Sequence, residues 1–102
     1  MKNCVFKKII FVIGIQSDKD AASMLGSVKS VASSVIFTKS KNEKATEPNK
    51  LFEIFQKINK NKKIKAKIIE NSKKAFDTAK KSASKKDLVV ATGSLYLAGE
   101  IF

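Results

Sequence analysis

Histidine, tryptophan and arginine are absent from this 102-residue chain, and cysteine, proline and tyrosine occur once each. Without histidine the chain lacks the side chain best suited to move protons near neutral pH. The single Cys4 excludes a disulfide framework and fits a reducing, cytoplasmic setting. It has no partner motif that would activate it as a nucleophile, and no His/Cys ligand spacing for a metal occurs. We therefore expect neither a catalytic residue nor a metal site on this chain. Long apolar runs are also missing. Ile9–Ile15 is seven residues long, whereas a membrane-crossing helix needs about 20. Lys7-Lys8 before that run imitates a signal peptide, but Gln16-Ser17-Asp18-Lys19-Asp20 offers no small-x-small cleavage site. The run reads as a buried strand.

Charge of one sign is plentiful: a net +12, with every one of the 21 basic residues a lysine. Arginine supplies the planar fork that reads guanine edges and clamps phosphate, so its absence argues against specific nucleic-acid recognition. The densest stretch, Lys57–Lys67, holds six lysines in eleven residues but no interleaved aromatics for stacking on bases. It reads as a solvated surface. A non-specific nucleic-acid patch, or a field that draws in anionic substrates, are the other readings.

At 43% hydrophobic residues with defined apolar runs, the chain is globular and long enough for one modest domain. Apolar segments of two periodicities alternate along it. Lys8–Ile15 is apolar without alternation, as in a strand covered on both faces. Lys19–Ser33 carries Ala22, Leu25, Val28, Val31 and Ala32 at helical spacing. Ser34–Thr38 reads as a second strand and Lys39–Glu47 as a polar loop. Pro48 fits the first turn of a helix over Asn49–Asn61 that places Leu51, Ile54, Phe55 and Ile58 on one stripe. Lys63–Ile69 alternates apolar residues with lysine, as an exposed or edge strand does. A helix over Ser72–Ser84 with Ala75, Phe76 and Ala79 inward, a strand Leu88–Ala91 and a helix Ser94–Ile101 complete the series. The expected fold is thus α/β: a three-layer, Rossmann-like parallel sheet of about four strands alternating with helices. Right-handed crossovers would bring the strands' carboxyl ends to one edge, where such sheets bind ligands, and that edge would collect Gln16–Asp20, Thr38–Lys44 and Thr92–Ser94.

Thr92-Gly93-Ser94 turns the chain from a strand into a helix, the geometry in which free N–H groups and a helix dipole hold an anion. An ordinary helix cap has the same look. In its full wording, however, Asp87-Leu-Val-Val-Ala-Thr-Gly-Ser-Leu-Tyr-Leu-Ala-Gly-Glu-Ile-Phe102 closely resembles the C-terminal signature of folylpolyglutamate synthases and dihydrofolate synthases, relatives of the Mur ligases. Ile10–Asp20, with Asp18-Lys19-Asp20, resembles the strand–Gly–Asp-Lys-Asp–helix segment of the same domain. Val35–Lys39 with Asn42-Glu43-Lys44-Ala45 resembles its strand and Asn-Pro-Arg-Ala stretch, with Glu43 in place of Pro and Lys44 in place of Arg. The three matches follow the family's order.

The resemblance implies an ATP-dependent amide ligation, in which a folate-type carboxylate is phosphorylated and attacked by the amino group of L-glutamate. It also implies what is missing. The family's P-loop ATPase domain holds ATP and Mg²⁺, and neither that domain's G-x-x-x-x-G-K-[ST] pattern nor the Asp-Gly-Ala-His-Asn-Pro motif occurs here. Residues 1–102 are thus expected to be a single, partial Mur ligase C-terminal-like domain that closes over substrate and is inactive alone. Carried across by position, Lys19 would pair with the glutamate carboxylate, as a lysine does in the related D-glutamate-adding ligase. Ser94 would hold the same carboxylate through its hydroxyl and adjacent N–H groups. Asp18 and Asp20 would orient Lys19 or meet the substrate ammonium, or else cap the helix. Thr38 would offer a hydroxyl at the next strand end. Lys44 would approach the nucleotide without the bidentate grip of the arginine it replaces. Tyr96 and Leu97 read as core. Two other readings stand beside this one: an orphan α/β domain that binds a protein partner, and a basic nucleic-acid-binding protein.

Overall fold

A computed structural model describes residues 8–15, 21–39, 45–59, 64–83 and 87–93. Its elements run β1 (Lys8–Gly14), α1 (Ala21–Lys29), β2 (Ser34–Lys39), α2 (Pro48–Ile58), β3 (Lys65–Asn71), α3 (Ser72–Ser82) and β4 (Asp87–Gly93). The four strands form one parallel sheet in the order β3-β2-β1-β4.

That order fixes which face each helix takes. The path β1→β2→β3 moves one way across the sheet, and a right-handed crossover puts both connecting helices on the same side. The step β3→β4 moves back the other way, so α3 lies on the opposite side. The three-layer expectation is met, with α1 and α2 on one face and α3 on the other.

The two faces differ in how they are filled. Under α1 and α2, the odd-numbered residues Phe11, Ile13 and Ile15 of β1 meet Val35 and Phe37 of β2, with Leu25, Leu51 and Phe55 descending from the helices. Phe37 packs edge-on against Phe55 and Phe52, with ring centroids 5.5 and 6.2 Å apart. Under α3 the floor is Ile10, Val12 and Ile36, and the helix supplies Ala75 and Ala79. Small side chains let α3 sit close to the sheet. Phe76 lies half-buried beside them, with the Lys80 ammonium 5.5 Å from its ring centroid.

Several expectations need correcting at the helix ends. α1 stops at Lys29, and residues 30–31 form a turn in which the N–H groups of Val31 and Ala32 both donate to the Val28 carbonyl. Val31 is therefore 54% exposed rather than on the inward stripe, and Ala22 is exposed too; Ala21 and Met24 take their places beside Leu25 and Val28. α2 ends at Ile58, three residues short of the expected Asn61, because Asn59 leaves the helix. Its side-chain N–H donates to the Ile64 carbonyl at 2.9 Å and its backbone N–H closes onto Phe55, so one buried residue ends α2 and aims the chain into β3. α3 starts where expected, capped by the Asn71 side chain, which accepts from the Lys74 N–H at 2.9 Å. It ends at Ser82. Strand β3 lies at the sheet edge as its lysine alternation indicates, but Ile68 is 37% exposed and contributes little to the core. The helix expected over Ser94–Ile101, with Tyr96 and Leu97, lies outside the described residues.

Candidate functional site at the carboxyl edge of the sheet

Loops that follow parallel strands emerge from the carboxyl edge. The strand order reverses between β1 and β4, because β1→β2→β3 runs one way across the sheet and the step to β4 returns past β1. In open parallel sheets, ligands bind at such a reversal of strand order. Two glycines flank it. Gly14, closing β1, is in register with Gly93, closing β4. Glycine at both strand ends means that no side chain of theirs would keep a ligand from the backbone.

The loop after β2 is led to the same place. Its last residues, Ala45 and Thr46, run beside the end of β1, and the Thr46 N–H donates to the Ile15 carbonyl at 2.8 Å. At the loop's other end the Lys39 ammonium, on the last residue of β2, pairs with the Glu47 carboxylate just ahead of α2. This ion pair joins the two feet of the loop that carries Lys44. The hydrogen bond from Lys39 to Glu47 and the opposite charge of that carboxylate raise the Lys39 pKa above its ordinary value, with a further pull from Glu70. Lys39 is held as a cation.

Of the residues singled out in the sequence, Thr38 is the one within the described set. It is wholly buried, and its hydroxyl donates to the Glu70 carbonyl at 2.9 Å. The β2–β3 register shifts at this point: Phe37 pairs with Ile68, but Lys39 pairs with Asn71, so Thr38 stands opposite two residues. Its hydroxyl serves the carbonyl that the irregularity turns away from the ladder. Asp18, Lys19, Asp20, Lys44 and Ser94 lie outside the described residues. The flanking residues that are described, namely Gly14-Ile15, Lys39, Ala45-Thr46 and Gly93, bring the attachment points of all three segments to one edge. Sequence reasoning missed the Lys39–Glu47 pair, since the partners are eight residues apart across a loop and no local pattern links them. Asn59 did carry a signal, because asparagine commonly ends helices.

Among the described residues no group of three or more His, Cys, Asp or Glu side chains gathers as a metal site would require. Nor is any described helix long and apolar enough to cross a membrane.

A parallel sheet with helices on both faces and strand-end loops gathered at a switch point has the architecture of the Mur ligase-type C-terminal domain. The family model for the dihydrofolate synthetase C-terminal domain matches residues 1–102, and the chain belongs to that family. Solved structures agree on the fold. A bifunctional folylpolyglutamate synthase/dihydrofolate synthase from Yersinia pestis, complexed with AMPPNP and Mn ion, superimposes with a TM-score of 0.80 at 20% identity, over 92% of this chain and 21% of that one. E. coli FolC in complex with DHPP and ADP gives 0.80 at 23% identity, over 92% and 21%. Folylpolyglutamate synthase from Thermotoga maritima gives 0.71 at 26% identity, over 92% and 20%. The chain thus spans about a fifth of the length of these proteins. No curated protein sequence matches it. The readings as an orphan interaction module or a nucleic-acid-binding protein gain no support from these likenesses.

Proposed function

We propose that this domain closes over the substrates of an ATP-dependent folate:L-glutamate ligase and supplies contacts to the glutamate and the nucleotide. The observation that carries the reading is the convergence on one sheet edge of the strand ends from which the three family-like segments depart, with Gly14 in register with Gly93. In this reading Lys19 and Ser94 hold the glutamate carboxylate, and Asp18 and Asp20 orient Lys19 or receive the substrate ammonium. Lys44 faces the nucleotide. Thr38 stands behind them, where its bond to Glu70 fixes the end of β2 from which the Lys44 loop departs. ATP and Mg²⁺ are held chiefly by a P-loop domain, which is the proposed partner, and a folate-type acid is the co-substrate. Such enzymes work by holding charged reactants in line and offsetting their charge, so a closing domain contributes by positioning.

The test is glutamylation of a folate-type acid, measured for this chain alone and together with a P-loop ligase domain. The chain alone is expected to be inert and the combination active in an ATP-dependent manner. Lys19→Ala and Ser94→Ala are each expected to raise KM for glutamate by about 10-fold or more, in line with loss of a charge-assisted contact. Glutamylation by the isolated chain, or an unchanged KM in both variants, would overturn the proposal.

A further inference from the structure

Helix α3 has an awkward task. It leaves the carboxyl end of β3, at one edge of the sheet, and must deliver the chain to the amino end of β4, at the other edge. Three strand spacings amount to about 14 Å, and eleven helical residues span about 16 Å. One helix can therefore cross the face only diagonally, and α3 does pack against all four strands. A diagonal leaves two corners of the face that α3 itself does not cover. One is at the carboxyl end of β4, beside the site described above. The other is at the amino ends of β2 and β3, and a pocket of about 230 Å³ lies there.

Its floor is built from two cross-strand rows. In the first, Ile10, Ser34 and Lys65 lie side by side; in the second, Ile36 is paired with Lys67. Ser82, at the end of α3, forms the far wall. The pocket is thus apolar toward the sheet centre and cationic at the edge. Neither lysine is in an ion pair among the described residues, and the Ser34 hydroxyl has no partner among them. In sequence, the stretches that hold the two lysines and Ser82, residues 57–69 and 78–86, contain lysines and no acid, and Asp87 at the start of β4 lies at the opposite side of the sheet. An apolar floor with two cations on one rim suits an anion with an apolar body. A cavity of about 150 Å³ holds benzene, so this one accommodates a body of roughly six to eight carbons.

We propose that this corner is a binding site for a small amphipathic monocarboxylate, its carboxylate between Lys65 and Lys67 and hydrogen-bonded by Ser34, its apolar body on Ile10 and Ile36. The site is at the amino edge of the sheet, away from the proposed ligase edge, and does not rest on the ligase reading.

The probe is octanoate, titrated into the isotope-labelled 102-residue chain and followed by amide NMR shifts, with octanol as its uncharged control. Saturable shifts confined to residues 10, 34–36, 65–67 and 82, with a Kd of about 1 mM and octanol at least 10-fold weaker, are expected. Lys65→Glu combined with Lys67→Glu should weaken octanoate at least 10-fold and leave octanol unchanged. Because those changes sit on an exposed strand, the unbound spectrum reports whether the fold persists. Ser82→Trp, at an exposed helix end, should block both probes. Shifts scattered over surface lysines, absence of saturation, equal binding of octanol, or octanoate binding unaffected by Ser82→Trp would each overturn the proposal.

Discussion

Two side chains carry the geometry of the carboxyl edge, and each acts through a single bond. Thr38 donates its hydroxyl to the Glu70 carbonyl where the β2–β3 register shifts. Thr38→Val keeps the shape and removes the donor, so a part-buried hydrogen bond is lost, at a cost of about 0.5–1.5 kcal/mol. At roughly 4–8 °C per kcal/mol for a domain of this size, thermal unfolding should show a fall of about 2–12 °C, while Thr38→Ser should recover most of it. An unchanged Tm in Thr38→Val would mean that water or another donor serves Glu70. The Lys39–Glu47 pair is tested by alkali. Because the folded-state pKa of Lys39 lies above its unfolded value, the pair's contribution is fully present below the ordinary lysine pKa of about 10.4, and is lost as pH rises through the raised value. The stability difference between the parent chain and Glu47→Gln should therefore be constant near neutrality and shrink above about pH 10–11. A difference that persists at the highest pH would assign Glu47 a role other than pairing with Lys39. Lys39 is only partly shielded from solvent, so the effect belongs to loop placement more than to global stability.

At the scale of elements, the pattern of charges works against pairing at the sheet edge formed by β3. β3 is an edge strand, and its sequence Lys65-Ala66-Lys67-Ile68-Ile69 sets a lysine at alternate positions on one face. Cations on an edge oppose its pairing with another chain. Lys65→Val together with Lys67→Val would leave an unbroken apolar stretch from residue 65 to residue 69 on an exposed edge. Light scattering should then show concentration-dependent association that the parent chain lacks, with an increase in β-sheet signal. Monomeric behaviour of that variant would show that the edge is protected by something other than charge. The same strand shows what a sequence reveals and what it withholds. Its place at the edge is legible from the lysine alternation, and the parallel α/β class is legible from the switching periodicities. Helix ends are less so: Val31 and Ala22 keep helical spacing with Leu25, yet α1 closes before Val31 can reach the core. The bond that ends α2 joins Asn59 to Ile64 across a loop and depends on where β3 lies. The gathering of the strand ends is legible too, because a parallel sheet puts every carboxyl end at one edge. Its fastening is not, since the Lys39–Glu47 and Thr46–Ile15 links form only once the strands are side by side.

At the scale of the whole molecule, 21 cations face 9 anions, and the excess has to be accommodated on a small surface. Among the described residues attraction offsets little of it: the Lys39–Glu47 pair joins the end of β2 to the start of α2 at a solvent-exposed position, whereas lysines occupy β3 and both ends of α3. Packing must hold the domain together against this self-repulsion, and most of it comes from the aromatic face beneath α1 and α2, where Phe37, Phe52 and Phe55 meet. Repulsion among exposed charges is screened once their spacing exceeds the Debye length, which falls from about 30 Å at 0.01 M salt to about 8 Å at 0.15 M. Folding gathers the lysines closer than the unfolded chain does, so screening relieves the folded state more. The Tm of the chain should consequently rise between about 10 mM and 150 mM NaCl, and the rise should shrink in a variant that removes lysines from the Lys57–Lys67 stretch. A protein stabilised by networks of surface ion pairs would respond in the opposite direction. A fall in Tm with salt would therefore place attraction above repulsion on this surface, and would require that the lysines outside the described residues find acidic partners. A rise would mean that the positive field persists in the folded domain, available to anions at both edges of the sheet.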